Sequence, residues 1–381
     1  MDASPRADTA EREFARLGLS HHALKAGGGF ERYMAELVHG LHERGIRPTF
    51  IAREFDRRMP EAGWVRQVRV DTRFVPRAWR DHVFDWRIGP LKRRLGLAPL
   101  VSSNPTRHAD IAVCGGTHPG YLAAMGERAG LRDRWKIALE REFYERADTI
   151  VAHSKAMLGE IAAHYGIGGD KVQLLYPPVD ARRFRPAADA AERADLRRRF
   201  GLPDDRAVFL LASTSHRRKG LDRLAPFFAR TNLPAQLVVA GRPLAASVRN
   251  VHSLGYCSEI EKLYRAVDYT VVASTYEPFG LVGVESILSG TPVLLRAGVG
   301  CGEVIAPEAR IDFDADVGDA VHAAVARWQG GGARVDAPAR ALAYDPGVSV
   351  HVDALLALVR RWQSMPGRRA PGQARAHPAH V

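Results

Sequence analysis

Residues 273–293 read ASTYEPFGLVGVESILSGTPV, and this stretch decides the fold. Ahead of it, Tyr269–Ala273 is a short apolar, β-branched run, the pattern of a parallel strand buried on both faces. A loop follows with Glu277, Pro278 and Phe279. From Gly280 the period turns helical, with Leu281, Val284, Ile287 and Leu288 spaced to face a core. Gly290 ends the helix and Thr291–Leu295 is the next strand. The unit is strand, loop, helix, strand. The first turn of such a helix has unpaired backbone N–H groups and the positive end of the dipole, so Gly280, Leu281 and Val282 form an anion site. Glu285, one turn further in, is suited to accept hydrogen bonds from a diol such as a ribose. Glu277, in the loop, would face what hangs on the other side of the phosphates.

Working outward, Ala207–Ala212 is a strand that runs into Ser213–Asp222, STSHRRKGLD. Arg218 and Lys219 then stand above the carboxyl edge of a sheet. Arginine clamps a diphosphate bidentately and lysine adds a point charge. As isolated letters, RRKG is ordinary surface charge; its place after a strand gives it meaning. Gln236–Ala240 and Val251–Leu254 are further strands. The second exits through Gly255–Cys257, and Ser258 is expected to cap a helix over Glu259–Val267.

The amino-terminal half repeats the rhythm. Phe14–Ser20 reads as a strand, Ala26–Gly29 as a glycine-rich turn and Phe30–Arg44 as a helix. A strand, glycines and a helix start let a phosphate or sugar approach the backbone at Gly28 and Gly29, although a tight turn explains the glycines equally well. Pro48–Arg53, Ala109–Cys114, Thr149–Ala152 and Lys171–Leu175 are strands. Ser154 caps a helix over Lys155–Tyr165. The loop Gly115–Tyr121, GGTHPGY, leaves a strand at its carboxyl end and carries His118 toward the crevice. Residues 64–107 interleave Trp79, Phe84, Trp86, Ile88 and Leu91 with six basic residues of the same stretch. An acceptor or membrane contact and a nucleic-acid surface are open readings. A structural role, with rings in the core and arginines in water, is favoured.

The 381 residues suffice for two α/β domains. The formal net charge of +12 favours anionic partners, and a solvated arginine-rich surface accounts for it as well. Cys114, Cys257 and Cys301 are too scattered for a disulfide framework or a metal cluster, and buried free thiols are expected. No apolar run approaches the ~18 residues of a membrane span. The segment MDASPRADTAERE lacks a signal-peptide core, so a cytoplasmic protein, peripheral on the inner face of the membrane at most, is expected.

With these residues in hand, the stretch around Glu277 and Glu285 resembles the E-x7-E signature of the family 4 retaining glycosyltransferases. Arg218–Lys219–Gly220 is similar to the family's R-K-G motif, and Gly28, Gly29, Glu31 and Arg32 to its GGxER loop. Tyr176–Phe184, YPPVDARRF, resembles its inter-domain PNGVDxxxF, with Pro177–Pro178 in place of Asn-Gly. Val299–Glu303 is similar to GGxxE, with Glu303 structural or helix-capping. RRKGLD and LLYPP look most like bacterial lipopolysaccharide-core sugar transferases. The resemblance covers roughly residues 14–345 and implies the GT-B fold: α/β, with two doubly wound Rossmann-like domains facing across a cleft.

The resemblance also implies an acceptor-side domain over residues 14–178 and a nucleotide-sugar domain over 189–345. A carboxy-terminal helix within 346–364 would pack back on the first domain, and 1–13 and 365–381 would be disordered tails. The activity implied is metal-independent transfer of a sugar, with retention, from a nucleotide-diphosphate sugar to a hydroxyl of a glycan or glycolipid, an anionic one included. No further cofactor is expected. Arg218 and Lys219 would hold the diphosphate, Glu285 the ribose and Glu277 the donor sugar, backbone groups of Tyr256 and Cys257 would read the nucleobase, and His118 would lie near the reacting carbon. The rivals are an inactive nucleotide-sugar-binding protein, a sugar-nucleotide epimerase of the same fold and, on charge alone, a nucleic-acid-binding protein.

Overall fold

The computed structural model describes residues 10–332 and 334–366. Two all-parallel sheets carry it. The first has seven strands in the order Arg66–Arg69, Thr49–Ala52, Gly18–Ser20, Leu100–Ser102, Ile111–Cys114, Thr149–Ala152, Val172–Leu174. The second has six, in the order Val251–Gly255, Ala235–Gly241, Ala207–Ser213, Tyr269–Val272, Val293–Arg296, Arg310–Phe313. In each, the chain starts mid-sheet, runs to one edge, returns to the middle and runs to the other. The return makes a topological switch point, where loops splay apart and leave a crevice. In the second sheet the two loops at that point are those after Ser213 and after Val272. They carry Arg218, Lys219 and Glu277. In the first sheet the loop after Ser20 leads to the glycine turn.

The strands with apolar runs are buried on both faces: Thr49–Ala52, Ile111–Cys114, Thr149–Ala152 and Tyr269–Val272 are buried throughout. One continuous apolar cluster joins the domains. It runs from Phe143, Ile150 and Ile161 of the first to Phe279, Val284 and Ile287 of the second. Cys114 and Cys301 are buried free thiols, and Cys257 is half-buried.

Several expectations shift. The first strand is only Gly18–Ser20, because residues 10–13 are helical and the chain turns through Phe14–Leu17 before it extends. Residues 10–13 are therefore not a disordered tail; Glu13 pairs with Arg360 at 2.7 Å. The expected tails at 1–9 and 367–381 lie outside the described residues. Residues 64–107 hold an edge strand, a helix Arg80–Arg94 and the central strand Leu100–Ser102. Phe84 and Ile88 enter the core as expected, whereas Trp79 and Trp86 stay outside. Glu259, not Ser258, is the N-cap of Ile260–Ala266, and no side chain caps that end. Among the described residues no helix is long and apolar enough to cross a membrane.

The chain crosses between domains twice, side by side. Val179 N–H donates to Pro346 O at 2.8 Å and the Tyr344 hydroxyl to Pro177 O at 3.0 Å. The second crossing delivers the helix Val348–Ser364 onto the first domain's helix Gly29–His42. Gly40 allows the approach, since a Cβ there would sit 2.7 Å from Val352 Cγ2. His351 is buried in this seam. Its Nδ1 lies 2.8 Å from Tyr176 O and its Nε2 3.1 Å from the Tyr33 hydroxyl.

Burial lowers the His351 pKa to about 4, against a raising effect of the Tyr176 carbonyl. A histidine depressed in the fold takes up its proton only in the unfolded chain. Its contribution is complete above pH 6.5 and is lost as pH falls toward 4. The stability difference between the native protein and His351→Gln should therefore shrink by about 1 kcal/mol per pH unit below 6.5, read by urea unfolding at pH 7.5, 6 and 5.

Candidate active site

A cavity of about 800 Å³ opens between the sheets and takes its lining from both domains. It brings together Gly28, Gly29, Arg218, Lys219, Tyr256, Glu277, Gly280, Leu281, Val282 and Glu285. Residues up to 257 positions apart in the sequence thus line one space. His118 is not among them. It lines a neighbouring cavity of about 340 Å³ that meets the first at Gly115, Tyr121 and Tyr276.

On the second domain's side, one carboxylate oxygen gathers three donors. Glu277 Oε2 accepts from Lys219 Nζ at 2.5 Å, Arg218 Nη1 at 3.2 Å and Ser274 Oγ at 2.9 Å. Burial pushes the Glu277 pKa up, but Lys219 and Arg218 outweigh it and hold the carboxyl below its ordinary value, so it is ionised. The contact depends on Gly220. Its φ is +77° and a Cβ would stand 2.3 Å from Ala273 O, so the loop lies directly against the end of the neighbouring strand. Gly280, with φ +94°, makes the turn into the helix Leu281–Leu288. The first-turn amides of Leu281 and Val282 have no acceptor within the helix and border the cavity.

Deeper in, Glu285 is 1% exposed. Its Oε1 pairs with Arg32 of the first domain, and its Oε2 accepts from the Tyr264 hydroxyl at 3.0 Å. Arg32 also lies over the Phe184 ring at 5.8 Å. The carboxylate assigned to a diol thus meets an arginine from across the cleft. A carboxylate offers about four acceptor directions, and these two partners use half of them.

Other contacts cross between the two domains. The Tyr276 hydroxyl accepts from Thr117 N–H at 2.8 Å and donates to Glu160 Oε2 at 2.8 Å. Ser154 Oγ donates to Pro278 O at 2.7 Å while it caps its own helix. Glu303 accepts from Lys155 N–H at 2.8 Å, so it caps a helix of the opposite domain. His118 starts the helix His118–Met125. Its Nε2 lies 2.9 Å from Asp133 and its backbone N–H donates to Glu140 at 2.8 Å.

Sequence reasoning quoted Arg32 as a motif letter without giving it a role. It missed Ser274, Tyr264 and Tyr276. Ser274 lies three residues before Glu277 and was within reach. Tyr264 sits on a different helix, 21 residues before Glu285, and no spacing rule connects them. Among the described residues no group of three or more His, Cys, Asp or Glu side chains is arranged to hold a metal ion.

The Arg32–Glu285 pair is asymmetric. Arg32 keeps 27% of its side chain exposed and can turn to water; Glu285 cannot. Arg32→Ala should therefore destabilise the protein more than Glu285→Gln, approaching the 3–5 kcal/mol typical of a stranded buried charge, as measured by urea unfolding. Equal losses in the two variants would contradict the asymmetry.

Comparison with known proteins fits this geometry. Residues 27–183 match Glycosyltransferase Family 4, and residues 192–328 match Glycosyl transferases group 1. A probable transglycosylase of Burkholderia thailandensis is 45% identical over 351 residues, which cover 90% of this chain and 96% of that one. Among solved structures, WaaG, a glycosyltransferase involved in lipopolysaccharide biosynthesis, superposes with a TM-score of 0.74 at 17% identity, covering 92% of this chain and all of that one. HepE of Anabaena in complex with UDP and glucose gives 0.69 at 14%, again over 92% of this chain and 100% of that one. These two likenesses concern the fold. Two facing Rossmann-like domains, two family matches and a relative aligned almost end to end place this chain among the group 1 glycosyltransferases of the GT-B fold.

Proposed function

We propose that the protein moves a sugar, with retention, from a nucleotide-diphosphate sugar to a hydroxyl of a glycan or glycolipid in the assembly of a cell-surface polysaccharide or lipopolysaccharide. The observation that carries this reading is the cluster of Arg218, Lys219 and Glu277 beside the helix start at Gly280. Two cations share one carboxylate oxygen, so the cluster holds a surplus positive charge and adds the helix dipole to it. A diphosphate supplies the missing negative charge. It would draw Arg218 and Lys219 off Glu277, whose carboxylate then accepts from hydroxyls of the donor sugar.

The ribose would take the remaining acceptor directions of Glu285, and the base would lie beside Tyr256. Gly28 and Gly29 let the phosphates approach the first domain's backbone. Charge that develops on the leaving diphosphate is met by Arg218, Lys219 and the amides of Leu281 and Val282, without a divalent ion. Retention rests on the likeness of the Glu277–Glu285 unit to retaining enzymes. In that chemistry the bond from the anomeric carbon to the phosphate oxygen breaks, and the acceptor oxygen attacks from the same face. The acceptor's proton passes to the leaving phosphate. A nucleotide sugar as donor is in keeping with the UDP and glucose bound by HepE. His118, in the adjoining cavity, would touch the acceptor. A cytoplasmic, peripheral position at the membrane suits the exposed Phe74, Trp79 and Leu131 among the first domain's arginines.

Thermal shift with UDP-, GDP- and ADP-sugars should single out one nucleotide, because a ligand bound only by the folded state raises Tm by mass action. Glu285→Ala should remove that shift. Lys219→Ala should lower turnover by about 100-fold or more, as loss of one preorganised donor to a developing anion does. Native donor binding and turnover in both variants would defeat the assignment.

A further inference from the structure

Glu160 lines neither cavity, yet it ends a chain of contacts that begins at the cation cluster. It sits on the first domain's helix Lys155–Tyr165. One of its carboxylate oxygens gathers three donors: the Tyr276 hydroxyl at 2.8 Å, the Thr117 hydroxyl at 2.7 Å and the Thr117 N–H at 3.2 Å. The Tyr276 hydroxyl accepts from that same N–H at 2.8 Å. Thr117 is itself fixed, because its side-chain oxygen caps the helix His118–Met125 by accepting from Gly120 N–H at 3.1 Å.

The backbone around this junction leaves no slack. Gly116 has φ +126°, and a Cβ there would stand 2.7 Å from the Tyr276 hydroxyl and 2.6 Å from Pro278 Cγ. A Cβ at Gly120 would stand 2.5 Å from the Glu160 carboxylate. Burial pushes the Tyr276 pKa up and the Glu160 carboxylate raises it further, so the phenol keeps its proton and can donate it.

The other end of Tyr276 reaches the donor cavity. Its carbonyl accepts from Arg218 Nη1 at 3.2 Å, and the next residue is Glu277. On the far side of Glu277, Pro278 O is held by Ser154 of the first domain at 2.7 Å. Glu277 therefore lies between two residues that the first domain pins. The Arg218 guanidinium has two acceptors among the described residues, the Glu277 carboxylate and the Tyr276 carbonyl. Once a diphosphate draws Arg218 off Glu277, the Tyr276 carbonyl is the acceptor left to aim it.

We infer that Glu160 is a positioning residue: by holding the Tyr276 hydroxyl from outside the cavity, it aims Arg218 at the diphosphate and Glu277 at the donor sugar. The inference rests on the nucleotide-sugar reading above. It makes the anion site of the second domain depend on the first, through one side chain and one peptide group.

Calorimetry on the full chain tests it. The probes are UDP, GDP, ADP and inorganic pyrophosphate, with the free nucleoside of the tightest nucleotide as the reference without phosphate. Glu160→Ala should weaken that nucleotide and pyrophosphate by about tenfold, the worth of one hydrogen bond to a charged group, with nucleoside affinity as in the native protein. Tyr276→Phe, which keeps the ring, should cost the same, and the double variant no more than either single one. Glu160→Gln, whose amide oxygen can accept from the same hydroxyl, should bind diphosphates as the native protein does. Unchanged diphosphate affinity in Glu160→Ala, an equal loss for the nucleoside, additive losses in the double variant, or no rescue by Glu160→Gln overturns the inference. Failure of the native chain to bind any diphosphate probe would instead strike the nucleotide-sugar reading, and this inference with it.

Discussion

Two cations held on one carboxylate at the tip of a parallel sheet are the interaction around which this molecule is arranged. Lys219 and Arg218 would repel one another in a half-buried loop without an anion between them, and Glu277 would not stay ionised at its depth without the cations. Each makes the others tenable. The cluster forms because two consecutive loops meet at the switch point of the sheet, and it is tight because Gly220 lets one loop rest against the backbone at Ala273. Its weakness is also its use. In the proposed reading, a diphosphate beside the helix start at Gly280 takes over the two cations, and Glu277 turns to the hydroxyls of the donor sugar.

The second domain alone does not complete the site. Arg32 comes from the first domain's helix to Glu285, and Tyr276 reaches from the second domain to Thr117 and Glu160. Ser154 and Glu303 bind backbone groups across the same boundary. These polar contacts sit on a continuous apolar cluster and beside the two chain crossings, one of which brings the last helix back onto the first domain. Covalent continuity, apolar packing and these polar contacts together join the two halves.

The division between the two cavities follows from the same wall. Tyr276 belongs to a loop of the second domain by sequence and to the boundary with the first domain by contact. Donor and acceptor would meet across one tyrosine and the glycines Gly115 and Gly116. Gly115 has no room for a side chain, since a Cβ there would stand 1.6 Å from the Phe30 ring. The bulk of Phe30 and the absence of side chains at these glycines together keep a gap between the sites.

By itself the sequence determined the local units. Alternation of apolar runs with helical periods gave two α/β halves, and fixed spacings within one strand–loop–helix unit gave Glu277, Gly280 and Glu285 their places. It also marked Arg218 and Lys219 as strand-end cations and Ser154 as a cap. These are legible because backbone geometry alone connects residues a few positions apart. Only the tertiary structure decided that Glu285 faces Arg32, that Tyr264 supports it, and that His118 lines a separate cavity. It also decided that Leu100–Ser102, hidden within a basic stretch, is a central strand. Each of these depends on which elements a sheet order and an inter-domain cleft bring face to face, and no period or spacing along the chain encodes a contact between residues 253 positions apart.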